Sequence, residues 1–227
     1  HVRMRLHTSC AISGTGFLVH REIIERNNGW KHYLLTEDIE FTVDSVLHGE
    51  KIGYCANAKL FDEQPISFRQ SWNQRLRWTK GNYQVFGRYG RKLAVGALAK
   101  RSFSCYDMMM NVSPAMFVTF ASILFNGIFC MVGIFNINVT PQIIPATLIS
   151  ILGSCLNLYL IAFLMGTLTT HTEWKEIHAH PIKKILYLFT FPIFMMTYIP
   201  IAVCALFQKI TWKPIEHTVV KSIEDFQ

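Results

Sequence analysis

From Met108 to Thr172 the chain carries no Asp, Glu, Lys or Arg, while residues 1–107 are dense in charge. Few folds accommodate so long an uncharged run. Buried helices of soluble proteins seldom go without charge for more than a few turns, whereas crossing a hydrocarbon core takes ~20 residues. Three uncharged stretches exceed that length, approximately 112–137, 142–168 and 185–208, and each is expected to be a transmembrane helix. With 51% hydrophobic residues and a mean hydropathy of +0.24, the chain is too apolar to be wholly soluble and too polar to be membrane throughout. Two kinds of region are expected.

The links between the stretches suggest a topology. Asn138 to Pro141 is short and neutral, as in a tight hairpin. The segment from His171 to Lys184 holds Lys175, Lys183 and Lys184 and should share the cytoplasmic side with the basic run Arg88, Arg91, Lys92, Lys100 and Arg101. Pro192 and Pro200 would kink the third stretch or make it re-entrant, so the side of the Lys-bearing tail 209–227 stays open. The net charge of +7 is accounted for by anionic lipid headgroups beside those basic residues. No interleaved aromatic and basic motif points to nucleic acid.

The six cysteines, at 10, 55, 105, 130, 155 and 204, include no C-x-x-C pair, which argues against a disulfide framework or a zinc site. His171, His178 and His180 lack the i, i+4 spacing of a helical ligand pair and read as an interfacial loop. Asn126 and Asn157, inside the expected spans, either bond between helices or touch a passing ligand. The chain opens at His1 without a leader and is expected to be a fragment.

Residues 11–19 read as a buried strand interrupted by Gly14 and Gly16, and 51–61 as a second short strand. Between them Thr36 opens a helix with Ile39, Val43, Val46 and Leu47 on one face and Gly49 as its stop. That alternation predicts the later part of an α/β domain over 1–66. A second helix runs from Ser67 to about Arg88. Its wheel separates an apolar stripe of Trp72, Leu76, Thr79, Tyr83 and Phe86 from Gln74, Arg77, Trp78 and Gly81. Residues 67–111 are accordingly expected to be interfacial amphipathic helices, followed by about three membrane helices over 112–208 and a polar tail over 209–227.

Two constellations bear on chemistry. In Thr36-Glu37-Asp38 a Thr followed by acids is what helix capping and the helix dipole favour by themselves. The same geometry also suits a base, because a carboxylate at a helix start is held in place and kept ionised. In Gln74-Arg75-Leu76-Arg77-Trp78 a guanidinium able to grip a diphosphate and an indole able to stack on a sugar ring share one helical face.

Gly14-Thr15-Gly16-Phe17, Gly29-Trp30, Thr36-Glu37-Asp38, Glu63 with Pro65, and Q-x-x-R-W at 74–78 occur here in the order and spacing of the processive family 2 glycosyltransferases. Over residues 1–90, with membrane helices after them, the chain resembles that group, which makes cellulose, chitin, hyaluronan and poly-N-acetylglucosamine. The resemblance implies a cytoplasmic domain of the GT-A type, α/β in class, followed by an α-helical transmembrane bundle. It implies Asp38 as general base with Glu37 beside it, Gln74 and Arg77 at the donor diphosphate, and Trp78 at the acceptor sugar, whose end Gly14, Thr15 and Gly16 would border.

The implied partners are a UDP-sugar donor, a growing polysaccharide acceptor and the lipid bilayer, with UDP-N-acetylglucosamine the preferred donor. The implied setting is a multi-pass protein of the cell membrane, bacterial in source. The family's D-x-D motif, which holds the donor and a divalent metal (Mg or Mn), does not occur in this sequence. No metal ligand is therefore expected in this chain, and the chain alone is expected to be inactive. Two other readings are a non-processive membrane transferase that makes a glycolipid, and a non-catalytic scaffold with a degenerate transferase remnant.

Overall fold

The computed structural model describes residues 2–58, 60, 62–135 and 140–211. The tail from 212 onward and the centre of the first link, 136–139, lie outside the described residues. The chain divides into two compact units, His1–Pro114 with Ile201–Gln227, and Ala115–Pro200.

The first unit is built around two helices, α1 (Glu37–Leu47) and α2 (Phe68–Leu98). Helix α1 follows Thr36 and stops before Gly49, whose φ of +82° costs an L side chain strain but glycine little. Its apolar side, with Val43 and Val46 fully buried, packs on Val85, Tyr89 and Leu93 of α2. Met108 and Val112 of α3 (Phe103–Val112) close the same cluster. A complete capping box starts α2: the Ser67 hydroxyl accepts from Gln70 N, and the Gln70 side chain accepts from Ser67 N.

Helix α2 runs ten residues past the expected end at Arg88, and it buries different sides along its length. Its first half places Leu76, with half-buried Trp72 and Tyr83, against Ile201 and Ala205, the end of a helix at Tyr198–Phe207. Its second half buries Val85, Tyr89, Leu93 and Gly96, which lie roughly opposite Leu76 on the wheel. A single-stripe reading ends where the buried side changes.

Among the described residues no strand is formed, so the expected strand–helix alternation of an α/β domain is not seen in this chain. The segment 11–19 is not a buried strand. Residues 13–18 are exposed, and the amides that a ladder would pair are taken by other acceptors. Just before the segment Cys10 N makes one backbone bond to Ile52 O at 2.9 Å, but within it Ile12 N donates to Thr42 Oγ1 at 3.0 Å and Gly14 N to Asp38 Oδ2 at 3.0 Å. Side chains of α1 thus occupy the place of a partner strand. Likewise 51–55 is irregular and largely exposed, ending in a turn at 56–57.

The second unit is helical: α4 (Pro114–Phe135), α5 (Thr140–Thr172) and α6 (Pro181–Met196), the last leading into α7 (Tyr198–Phe207). Among the described residues two stretches are long and apolar enough to cross a membrane, Ile143–Thr172 and Pro181–Phe207, and Leu124–Gly133 is a shorter apolar helical stretch. None of the most apolar window of Ile143–Thr172 is buried within the chain, whereas the core helix of a soluble protein would be covered. Helices α5 and α6 pack through Phe163 on Phe189, with ring centroids 5.2 Å apart, and through Gly166 against Phe191.

The proline effect falls at Thr197. Pro192 is carried inside α6, but Pro200 has no N–H to offer the Met196 carbonyl, and the helix is interrupted between Met196 and Tyr198. Thr197 N turns back to Phe194 O at 3.2 Å, and its hydroxyl donates to the same carbonyl at 2.6 Å. In the basic link, Lys184 is buried. Its ammonium sits 4.5 Å from the Trp174 ring centroid and donates to Trp174 O at 2.6 Å.

Candidate active site

Thr36 precedes α1, yet its hydroxyl does not cap the helix. It is buried and has no hydrogen-bond partner among the described residues. Its packing explains this. A Cβ added to Gly81 would lie 2.5 Å from both Thr36 Cγ2 and Oγ1, so Thr36 fills the notch that a glycine leaves on α2. The helix start is served by Asp38 instead, whose Oδ1 accepts from Ile39 N at 2.8 Å.

Asp38 is half-buried and its other oxygen, Oδ2, accepts from Gly14 N. A Cβ at Gly14 would come within 3.6 Å of that oxygen and 3.8 Å of Glu37 Oε1, which places Gly14 directly against both acids. Thr15 hydrogen-bonds through its hydroxyl to Ser13 at 3.1 Å, and Gly16 lies beside Leu60. The structure therefore brings Gly14, Glu37 and Asp38 together, with Thr15 and Gly16 on the adjoining exposed turn.

Gln74 and Arg77 are half-buried on α2 and Trp78 is 39% exposed. They share a face with Gly81, the residue against Thr36, which stands seven, four and three positions further on. At about 1.5 Å per residue, Arg77 and Trp78 lie about one turn along the axis from that contact. The Q-x-x-R-W face is thus the face that packs on the T-E-D turn.

The seam continues beyond Gly81. Gln84 Oε1 accepts from Leu35 N at 3.3 Å, and Arg88 donates to Glu40 Oε1 at 3.0 Å. Residues 74, 77, 78, 81, 84 and 88 fall within about 120° on the wheel. Glu40 is fully buried; its Oε1 also accepts from Tyr89 OH at 3.1 Å, and its Oε2 accepts from Tyr33 N and Leu34 N at 3.0 and 3.1 Å. Burial, aided by Glu40, pushes the Tyr89 phenol up to about 12, so it remains a donor. Sequence reasoning passed over Glu40, Gln84 and Tyr89, and set Arg88 in the basic run beside headgroups, whereas its guanidinium pairs with Glu40. The continuation of the 74–81 stripe at helical spacing was the available signal.

The buried His32 clusters with Trp30 and Phe41, each ring centroid 5.3 Å from the imidazole and the two rings 5.1 Å from one another. Burial lowers the His32 pKa, opposed by Asp44, whose Oδ2 is 3.8 Å away and is itself paired with Lys31 at 3.0 Å. On the far side of α2, Lys80 donates to Ala205 O at 2.9 Å and Leu206 O at 3.4 Å, satisfying last-turn carbonyls of α7. Tyr83 OH donates to Ala202 O at 2.9 Å, and burial raises that phenol to about 12.

No group of three or more His, Cys, Asp or Glu positioned to hold a metal occurs among the described residues. His180 instead begins α6, accepting from Ile182 N at 3.4 Å.

The sequence family described as glycosyl transferase family group 2 matches residues 1–207. Among curated proteins, a probable glycosyltransferase of Bacillus subtilis is 31% identical over 118 residues, 52% of this chain and 27% of that protein. A beta-monoglucosyldiacylglycerol synthase of Synechocystis is 31% identical over 80 residues, 35% of this chain and 17% of the synthase. A probable glucomannan 4-beta-mannosyltransferase of rice is 25% identical over 142 residues, 62% of this chain and 25% of that protein. The chain thus spans about a quarter or less of the length of these relatives. No solved structure matches it significantly.

Proposed function

The chain belongs to glycosyl transferase family group 2, and from that premise we propose that it supplies the acceptor side of a membrane-bound inverting transferase that extends a polysaccharide from a UDP-sugar. The observation that carries the proposal is the seam. A carboxylate fixed through both oxygens by Gly14 N and Ile39 N stands on a turn locked, through Thr36 and Gly81, to the helix face bearing Gln74, Arg77 and Trp78.

In this reading Asp38 takes the proton of an acceptor hydroxyl, whose oxygen attacks the anomeric carbon as UDP departs with the bonding pair. The two amide donors keep the carboxylate oriented before that transfer. Glu37 adds negative charge beside it. Gln74 and Arg77 bind the diphosphate, where a guanidinium stabilises the growing charge. Trp78 stacks against the acceptor sugar, and Gly14, Thr15 and Gly16 leave its terminal hydroxyl room to approach.

A divalent ion, Mg or Mn, is a usual partner of a diphosphate. The family's D-x-D motif is absent from this sequence, and in the same proposal the ion's ligands belong outside this chain. The α/β character of the complete catalytic domain is part of the same proposal, as is a cytoplasmic position with the spans conducting the polymer. N-acetylglucosamine is the first sugar to test. A glycolipid product is the second reading, supported by the similarity to the Synechocystis synthase.

The test is nucleotide release by the full-length gene product in membranes with UDP-N-acetylglucosamine, UDP-glucose, UDP-glucuronate and GDP-mannose. The products are then separated into polymer and lipid-linked sugar. Asp38→Asn at matched abundance should lose turnover by about 10²- to 10⁴-fold. Turnover untouched by this substitution would remove Asp38 from the mechanism, and no turnover with any donor would favour a scaffold.

A further inference from the structure

We propose that Glu40 is a positioning residue that sets the register between the T-E-D turn and the Q-x-x-R-W helix, an inference that rests on Asp38 being the base. Glu40 stands two residues after Asp38 on α1, about 200° around the helix, and so points away from the acceptor side. Its fully buried carboxylate receives four hydrogen bonds. Two come from the backbone just before the turn, at Tyr33 and Leu34, and two from α2, at Arg88 and Tyr89. One side chain therefore ties the approach to the turn to the helix that carries Arg77 and Trp78.

Stability alone does not call for such a group. Well-packed apolar residues commonly serve as well as a buried ion pair, and a buried carboxylate is tolerable only when its lone pairs are met. Directional bonds differ from apolar contact in resisting sliding of one helix along another. The contacts to positions 81, 84 and 88 of α2 come from Thr36, Leu35 and Glu40, so the steric notch and the bonds mark one line of α2 at successive turns. A shift of this line moves Asp38 relative to whatever Arg77 and Trp78 hold. Misplacement by about 1 Å is enough to cost about 100-fold in rate.

The experiment compares Glu40→Gln, Tyr89→Phe, the double variant and Asp38→Asn in the full-length protein in membranes, with the same four nucleotide sugars. A second readout is hydrogen exchange of the amides at 33–36. Glu40→Gln is expected to lower kcat by about 100-fold with the donor KM within about threefold, because Gln74 and Arg77 are untouched. Tyr89→Phe removes a single bond from the α2 side. It should lower kcat by about fivefold and speed exchange at 33–36, whose amides the lost bond reaches through the Glu40 carboxylate. The double variant should be no worse than Glu40→Gln, since Tyr89 acts through that carboxylate.

Loss appearing in KM instead of kcat, or Tyr89→Phe with both kcat and exchange unchanged, overturns the inference. Should Glu40→Gln fail to accumulate, Tyr89→Phe decides the matter on those same two readouts. An active Asp38→Asn defeats the base assignment instead, while exchange at 33–36 still reports whether the seam is coupled.

Discussion

The T-E-D seam and the α5–α6 pair solve the same problem, holding helices against one another, with different materials. In the seam a fully buried carboxylate gathers backbone, phenol and guanidinium donors, and a glycine notch admits a threonine. Between α5 and α6 the contacts are rings and small residues: Phe163 on Phe189, and Gly166 against Phe191. Their hydrogen bond from Tyr159 OH to Phe189 O, 3.1 Å long, is exposed. Directional bonding belongs where a sub-ångström relation between two groups matters. Side-by-side packing suffices where a helix need only stay beside its neighbour.

The sharpest way to break this contrast is at glycines, where a single methyl reports how far each contact can give. Gly81→Ala drives a Cβ to 2.5 Å from Thr36, whose backbone is fixed by its neighbours, so one side must move. We expect about 1–3 kcal/mol of destabilisation and at least about tenfold lower turnover, measured by thermal inactivation and initial rates. Gly87→Ala, six residues along the same helix with nothing within 4 Å, should be neutral or stabilising by up to about 1 kcal/mol. Equal losses at the two positions would refute the notch.

Gly166→Ala is milder, since its Cβ comes tightly only against the edge of the Phe191 ring, at 3.0 Å, with Leu188 Cδ2 in ordinary contact at 3.8 Å. The ring can rotate aside, so thermal stability should change by less than about 1 kcal/mol and kcat should not change.

The smallest effect concerns acid. The folded-state pKa of His32 is lowered by burial, so the unfolded chain binds its proton more readily. Its contribution is complete above the ordinary histidine value of about 6.5 and is lost as pH falls through the lower folded value. The midpoint of thermal inactivation should drop below about pH 6.5. In His32→Phe, which keeps an aromatic ring against Trp30 and Phe41, that drop should be shallower.

Much of the helical frame is readable in the residues alone. Ile39, Val43 and Val46 at helical spacing with Gly49 after them predict α1, and the helical pattern from Ser67 predicts the start of α2. The end of α2 is less legible because Tyr89, Leu93 and Gly96 bury a side opposite to Leu76, a switch dictated by the helices that α2 meets. Residues 11–19 have strand composition, but a ladder needs a facing backbone. Here Thr42 and Asp38 accept the amides instead. Asp38, Gly14 and Trp78 stand out by motif, whereas Glu40 looks like one more acid favoured by a helix start. Only the arrival of Arg88 and Tyr89 from 48 and 49 residues away distinguishes it.

The cap that Lys80 places on the last turn of α7 gives the protein a chronology. Its carbonyl partner at Ala205 is 125 residues downstream, whereas the seam closes over separations of 24 to 49 residues. On a ribosome adding residues from the amino terminus, the T-E-D turn and α2 can associate once α2 has emerged. The opposite side of α2 waits until every apolar helix in between has been made. The helix bearing Arg77 and Trp78 is therefore half assembled throughout synthesis of the apolar region, and its final anchor forms only when that region is complete.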